Sequence, residues 1–158
     1  GILTGSFQVY LLQPFYGNFS KRLIKAPKLY FLDTGLAAYL TKWKAPEAAA
    51  NGAMAGAFFE TFVVSEIIKS YLNRGQWPPI YYYRDKEGHE VDLLIEKNNK
   101  IYPIEIKLAN TARGGDFNGI NYLRKKNKAI GRGAVISLYP EYMPFDSKND
   151  LIPVGMIS

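Results

Sequence analysis

The sequence predicts an α/β fold in which helices flank a mixed central sheet. From residue 57 onward the segments run helix, three strands, helix, strand, and the three strands are joined by short polar links. Helix-length segments stand on either side of that group. Of the 158 residues 47% are hydrophobic, which is enough to bury the core of one ordinary domain.

Each element has a local cause. Residues 7–15 are rich in Tyr, Val and Leu and read as a strand; residues 28–32 read as a second, and the two suit a hairpin across the basic link 16–25. Asp33 is an N-cap for a short helix over 34–43, and Pro46 prevents its continuation. Residues 44–56, rich in Ala and Gly, read as a connector, although their alanines could also extend the next helix. That helix spans 57–73 and stops at Gly75, and Trp77-Pro78-Pro79 is a sharp break. Strands follow at 80–85, 89–96 and 100–108, linked by Lys86-Glu87-Gly88 and Asn98-Asn99, as an antiparallel meander. A Gly-rich loop at 111–115 leads into a helix over 116–128, then a strand at 134–139 and a last strand at 151–157. Three segments result: 1–43, a hairpin with a short helix; 44–56, the connector; and 57–158, the α/β core. The chain starts at Gly1 and opens directly into strand-like sequence, as expected of a fragment of a longer protein.

Composition removes several chemistries. No cysteine is present, so disulfides, thiolate metal sites and cysteine nucleophiles are excluded. His89 is the single histidine, which leaves no Ser-His-Asp or multi-histidine zinc arrangement attractive. No apolar run approaches the roughly 18 residues of a membrane span, and a cytoplasmic location without a membrane partner is expected. The net charge of +6 suits a polyanionic partner such as DNA.

The chemistry concentrates around Asn98-Asn99. Asn tolerates positive φ, so a two-residue tight turn pairs Lys97 with Lys100. Continued antiparallel, this register sets Asp92 opposite Glu105 and Glu90 opposite Lys107, with side chains on one face; Val91, Leu93, Ile95, Ile104 and Ile106 go to the other, apolar face. Two adjacent ionised carboxylates repel, and a hard divalent cation with oxygen ligands, Mg²⁺ or Mn²⁺, removes that cost. Such an ion also makes water easier to deprotonate and polarises a scissile phosphate. Lys107 points the same way and suits the attacking water or developing negative charge. The competing explanation is a solvated strand face in which Glu90 and Lys107 form an ordinary cross-strand salt bridge.

Glu60 argues for the first explanation. On a helical wheel it falls among Val63, Val64, Ile67 and Tyr71, where a carboxylate is costly unless paired or metal-bound. The helix can pack on the meander and bring Glu60 near Asp92 and Glu105. A salt bridge to a buried Lys or Arg would satisfy it equally.

Glu60 on a helix, Glu90-Val91-Asp92 on one strand and Glu105-Ile106-Lys107 on the next, followed by a further helix, resembles the PD-(D/E)xK nuclease superfamily. The resemblance extends to Lys25-Ala26-Pro27-Lys28-Leu29-Tyr30-Phe31-Leu32-Asp33-Thr34-Gly35-Leu36, to Phe59-Glu60-Thr61-Phe62-Val63 and to Tyr82-Tyr83-Arg84-Asp85. In that combination the chain is similar to the uncharacterised C-terminal domain of prokaryotic AAA-type ATPases. The resemblance implies a restriction-endonuclease-like core preceded by a partial winged-helix-type segment, with residues 1–32 ending that segment. It implies an ATPase module of the same full-length chain as partner, DNA as substrate, Asp92, Glu105 and Glu60 as metal ligands, and Glu60, Asp92, Glu105 and Lys107 as the catalytic set. The superfamily's Pro-Asp is Val91-Asp92 here, and the proline is not a ligand. The pattern G-x-x-x-x-G-K-[ST] is absent, so no ATP site is expected in this chain.

Arg124, Lys125, Lys126, Lys128 and Arg132 form one basic group suited to phosphates; Lys21, Arg22, Lys25 and Lys28 form another, suited to a wing lying on DNA. A solvated surface explains either group as well. The rival functions are a catalytically silent DNA-binding module and a regulatory or interaction domain of the ATPase.

Overall fold

In the computed structural model, residues 2–17, 26–40, 52 and 54–157 are described. Helix α1 is Ile2–Gly5, strand β1 is Val9–Leu12, β2 is Lys28–Phe31 and α2 is Thr34–Leu40. Helix α3 spans Ala55–Leu72. Strands β3 (Ile80–Arg84), β4 (Glu90–Lys97) and β5 (Lys100–Lys107) follow. A 3₁₀ turn at Gly114–Phe117 precedes helix α4, Asn118–Lys126. Strands β6 (Gly133–Ser137), β7 (Met143–Pro144) and β8 (Asn149–Pro153) complete the sheet, and a 3₁₀ turn at Val154–Met156 follows β8.

The expected α/β architecture is present. Six strands form one mixed sheet in the order β3-β4-β5-β6-β8-β7. The meander β3-β4-β5 is antiparallel, β5, β6 and β8 run parallel, and β7 is antiparallel to β8. Strands β1 and β2 make a separate antiparallel pair. Asn98 and Asn99 adopt φ of 53° and 59°, and Lys97 pairs with Lys100, so the tight turn is as read. Asp33 caps α2 by accepting the Leu36 N–H at 3.0 Å. Gly75, at φ 67°, closes α3; the N–H groups of Gly75 and Gln76 bond the Leu72 and Tyr71 carbonyls.

Both faces of the sheet are covered. On one, α3 buries Val63, Val64, Ile67 and Ile68 against Leu93, Ile104, Ile106 and Ile136, with Leu12, Tyr30 and Leu32 from the N-terminal segment. Each such side chain contributes about 1.5–3 kcal/mol on burial. On the other, α4 and its 3₁₀ turn bury Phe117, Ile120 and Leu123 against Val91, Leu94, Ile101 and Val135.

Several expected boundaries move. Helix α4 starts at Asn118 instead of 116, because Asp116 serves the preceding turn, where its carboxylate accepts the Arg113 N–H. The last strand is Asn149–Pro153, earlier than 151–157, and both β7 and α1 are additional to the expected elements. Helix α2 is described to Leu40 only; Trp43, Pro46 and most of the 44–56 connector lie outside the described residues.

The apolar face of β4 also departs from strict alternation. Tyr81 pairs with Leu94 but Tyr83 pairs with Val91, so Tyr82 alone opposes Asp92 and Leu93. This β-bulge sends Val91 to the α4 core, away from Leu93 and Ile95. It also puts Glu90 opposite Arg84 on β3. Tyr82 turns its own backbone outward, donating to Gln13 at 3.1 Å and accepting from Phe15 at 2.8 Å.

The Asn98-Asn99 turn supplies a direct check. Asn99→Gly is expected to leave stability unchanged or slightly improved, whereas Asn99→Val costs about 1–2 kcal/mol, because a β-branched residue resists positive φ. Urea unfolding midpoints measure both; equal midpoints for the two variants would contradict the turn geometry.

Candidate active site

Alternation along β5 buries Ile104 and Ile106 under α3 and leaves Glu105 and Lys107 on the opposite face. The start of α4 closes over that face. It comes so near that a Cβ on Gly119 would lie 2.1 Å from the Glu90 carbonyl oxygen and 2.8 Å from Glu105 Oε1. Only glycine permits this approach. Glu105 is consequently 6% exposed, and Asp92, carried on the bulge, 9%.

The paired backbone of β4 and β5 runs from Lys97–Lys100 to Leu93–Ile104. Beyond it the Asp92 carboxylate takes over, with Oδ2 accepting the Ile106 N–H at 2.9 Å. Lys107 Nζ lies 3.3 Å from Glu105 Oε2 and 3.9 Å from Asp92 Oδ2. The sequence-predicted trio is therefore together. Burial, then the neighbouring Asp92 charge, pushes the Glu105 carboxyl up to about 9. Burial works against the Lys107 charge, but Glu105 and Asp92 outweigh it and hold the ammonium above its ordinary range.

These residues open onto a cleft of about 410 Å³, also lined by His89, Glu90 and Asp116. The donor set fits a hard divalent cation. Asp92 and Glu105 supply oxygen ligands side by side in a buried place where their charges oppose one another, and a cation relieves that repulsion directly.

Glu60 has a lysine partner, the alternative to a metal that its apolar helix sector allowed. Its carboxylate faces β2, where Oε1 accepts the Tyr30 hydroxyl at 2.5 Å and the Lys28 amine at 3.3 Å. Lys28 Nζ also lies 2.6 Å from Glu90 Oε1, and Arg84 is 3.5 Å from Glu90 Oε2. Glu90 thus pairs with Lys28 and Arg84 instead of Lys107. Lys28 is 22% exposed at its side chain and directs its charge inward.

The basic group of residues 124–132 divides in two. Lys125, Lys126 and Lys128 are exposed. Arg124 instead binds Asn121, Asn149 and the carbonyls of Gly131 and Lys148. Arg132 makes two short bonds to Asp150, 2.5 and 2.6 Å, and reaches the Ser147 and Asp146 carbonyls. Both arginines clamp the loop before β8. Lys21, Arg22 and Lys25 lie outside the described residues.

Sequence reading passed over the surroundings of His89. Buried Asp85 accepts the N–H groups of Glu87 and His89 at 2.9 Å and the Tyr83 hydroxyl at 3.1 Å. Its carboxylate also lies 3.1 Å from His89 Nδ1. The imidazole stacks on Tyr122 with centroids 3.6 Å apart. Asp85, Glu87 and His89 offer ligand atoms within 4.8 Å of one another, but the Asp85 oxygens already accept bonds that shape the turn. The available signal was Asp85 four residues before His89 across Gly88, whose φ is 89°.

Fold and site together define an α/β domain with a buried carboxylate pair and a lysine at the ends of two neighbouring central strands. The chain belongs to the family described as a domain of unknown function (DUF4143), whose model matches residues 55–157. Residues 1–47 match a second model, also described as a domain of unknown function (DUF8612). Uncharacterised proteins of Mycobacterium bovis and Mycobacterium tuberculosis are each 32% identical over 109 residues, covering 69% of this chain. The chain spans about a quarter, 24%, of the length of these curated relatives. No solved structure matches it. Among the described residues no helix is long and apolar enough to cross a membrane.

The buried carboxyl gives a pH-dependent test. The Glu105 side chain ionises near 4.5 when unfolded and near 9 when folded, so its ionisation removes stability as pH rises through that interval. In metal-free protein, Glu105→Gln is expected to raise the thermal midpoint by a few degrees at pH 8 and to change little at pH 4. Calorimetry in EDTA checks this, and an equal shift at both pH values refutes it. Gly119→Ala is expected to force α4 off the site and lower stability by about 1–3 kcal/mol, as overpacking does; an unchanged denaturation midpoint would show that the helix is not held there.

Proposed function

We propose that this domain is a Mg²⁺- or Mn²⁺-dependent DNA phosphodiesterase of the PD-(D/E)xK type, working beside an ATPase module of the same full-length protein. The observation that carries the reading is the Asp92–Glu105–Lys107 arrangement: two buried carboxylates and one ammonium, on adjacent strands, at the floor of an open cleft. A structural ion pair would need one carboxylate. A second, buried beside it, raises the cost and has a use when a divalent ion is bound.

Asp92 and Glu105 would hold the ion, Asp92 being oriented by the Ile106 N–H and Glu105 by the closure of α4. When bound, such an ion supplies Lewis-acid polarisation of a phosphate and makes water easier to deprotonate. Lys107, 3.3 Å from Glu105, places a positive charge where negative charge develops on the phosphate and can donate a hydrogen bond to the attacking water. His89, braced by Asp85 and stacked on Tyr122, borders the same cleft and is a candidate contact for a phosphate oxygen. The exposed lysines Lys125, Lys126 and Lys128 suit non-specific backbone contacts. The placement beside an ATPase rests on the motifs at 25–36, 59–63, 82–85 and 90–92 taken together.

The test is cleavage of labelled linear, single-stranded and branched DNA with Mn²⁺, Mg²⁺ or EDTA. Wild type is expected to cut only with metal. Asp92→Asn and Lys107→Ala are expected to lose at least about 10²-fold in rate, the scale of losing a stabilising charge in the transition state. A folded wild type that cuts none of these substrates would turn the assignment to a silent DNA-binding or regulatory domain.

A further inference from the structure

The N-terminal hairpin contributes a charged group to the site from 32 residues before Glu60. Lys28 stands between two carboxylates on different elements, 3.3 Å from Glu60 on α3 and 2.6 Å from Glu90 on β4. Its position does not depend on a loose tether. Strand pairing sets Lys28 opposite Leu12, its ammonium lies 5.4 Å from the centroid of the Tyr82 ring, and the Tyr82 hydroxyl donates to the Ala26 carbonyl two residues before it. Tyr30, two residues on, holds the same Glu60 oxygen at 2.5 Å.

Glu90 lines the same cleft as Asp92 and Glu105, and Lys28 ties Glu60 to it from the α3 side. Carboxylates gathered this closely need cations between them, and a second divalent ion is one ordinary way to supply the charge. Here a lysine already occupies the space between the outer two. We propose that Lys28 takes the place of a second divalent ion, bridging Glu60 and Glu90, so that the site accepts a single ion at Asp92 and Glu105. The proposal rests on the reading of Asp92 and Glu105 as metal ligands. It makes Glu60 a ligand to an ammonium group in the resting protein, and it makes the hairpin an integral part of the site. Lys28 is a positioning residue: its charge fixes Glu60 and Glu90 and sets how many ions the cluster takes.

The experiment is a Mn²⁺ titration of the full chain without DNA, following the free-ion electron paramagnetic resonance signal. Wild type is expected to bind one Mn²⁺. Lys28→Gln is expected to bind two, and Lys28→Gln combined with Glu60→Gln to return to one. Lys28→Met, whose apolar stem keeps the contact with Tyr82, serves as the second neutral variant. Two ions on wild type, or one ion of unchanged affinity on both neutral variants, overturns the proposal and leaves the metal site standing. No ion on wild type sinks the metal-site reading itself.

Discussion

Strand β4 carries one residue more than β3 opposes, and the geometry of the cleft follows from where that residue goes. At the bulge Tyr82 faces both Asp92 and Leu93. Val91 and Leu94 therefore serve the α4 core together, while Leu93 stays under α3. Both faces of the sheet thereby receive apolar side chains near the point where the paired backbone of β4 and β5 ends. The Asp92 carboxylate then meets the Ile106 N–H, a group that a longer ladder would have paired with backbone. Glu90 is brought opposite Arg84 and within reach of Lys28 by the same shift.

What could be read in the sequence was what depends on near neighbours. The Asn98-Asn99 turn, the register it sets and the shared face of Glu105 and Lys107 follow from period-two alternation over a few residues. The cost of Glu60 in an apolar helix sector was also legible, including a buried lysine as the alternative that satisfies it. Which lysine does so was not, because Lys28 meets Glu60 through packing of the hairpin on α3, and no local pattern records that. The bulge was equally hidden, since it is a property of β3 and β4 paired together. Strand β8 was placed too late because Asn149 and Asp150 look like loop residues; they are buried in the sheet by bonds to Arg124 and Arg132.

Those two arginines show why a basic run is a poor guide to a binding face. Arg124 and Arg132 belong to the group that suggested phosphate contacts, yet their guanidinium groups hold the loop that leads into β8. The lysines between them have short polar heads on long stems and remain exposed, and Lys126 lies 5.4 Å from the centroid of the Tyr122 ring. Arginine's fixed fork of donors suits it to several carbonyls and a carboxylate at once, so these charges are committed to the fold even where, as at Arg132, the side chain is exposed.

The segment Gln13–Phe15 has a consequence for the life of the molecule in a crowded solution. A six-stranded sheet has two outer strands, and unpaired backbone on either invites pairing with another chain. At β3 the outward-facing amide and carbonyl of Tyr82 are already taken by Gln13 and Phe15, with Pro14 between them. At the other end β7 is only two residues long and finishes in Pro144, which has no amide hydrogen to donate. Neither outer strand offers an unbroken row of free donors and acceptors. The same N-terminal segment that carries Lys28 to Glu60 and Glu90 thus also covers part of the β3 edge.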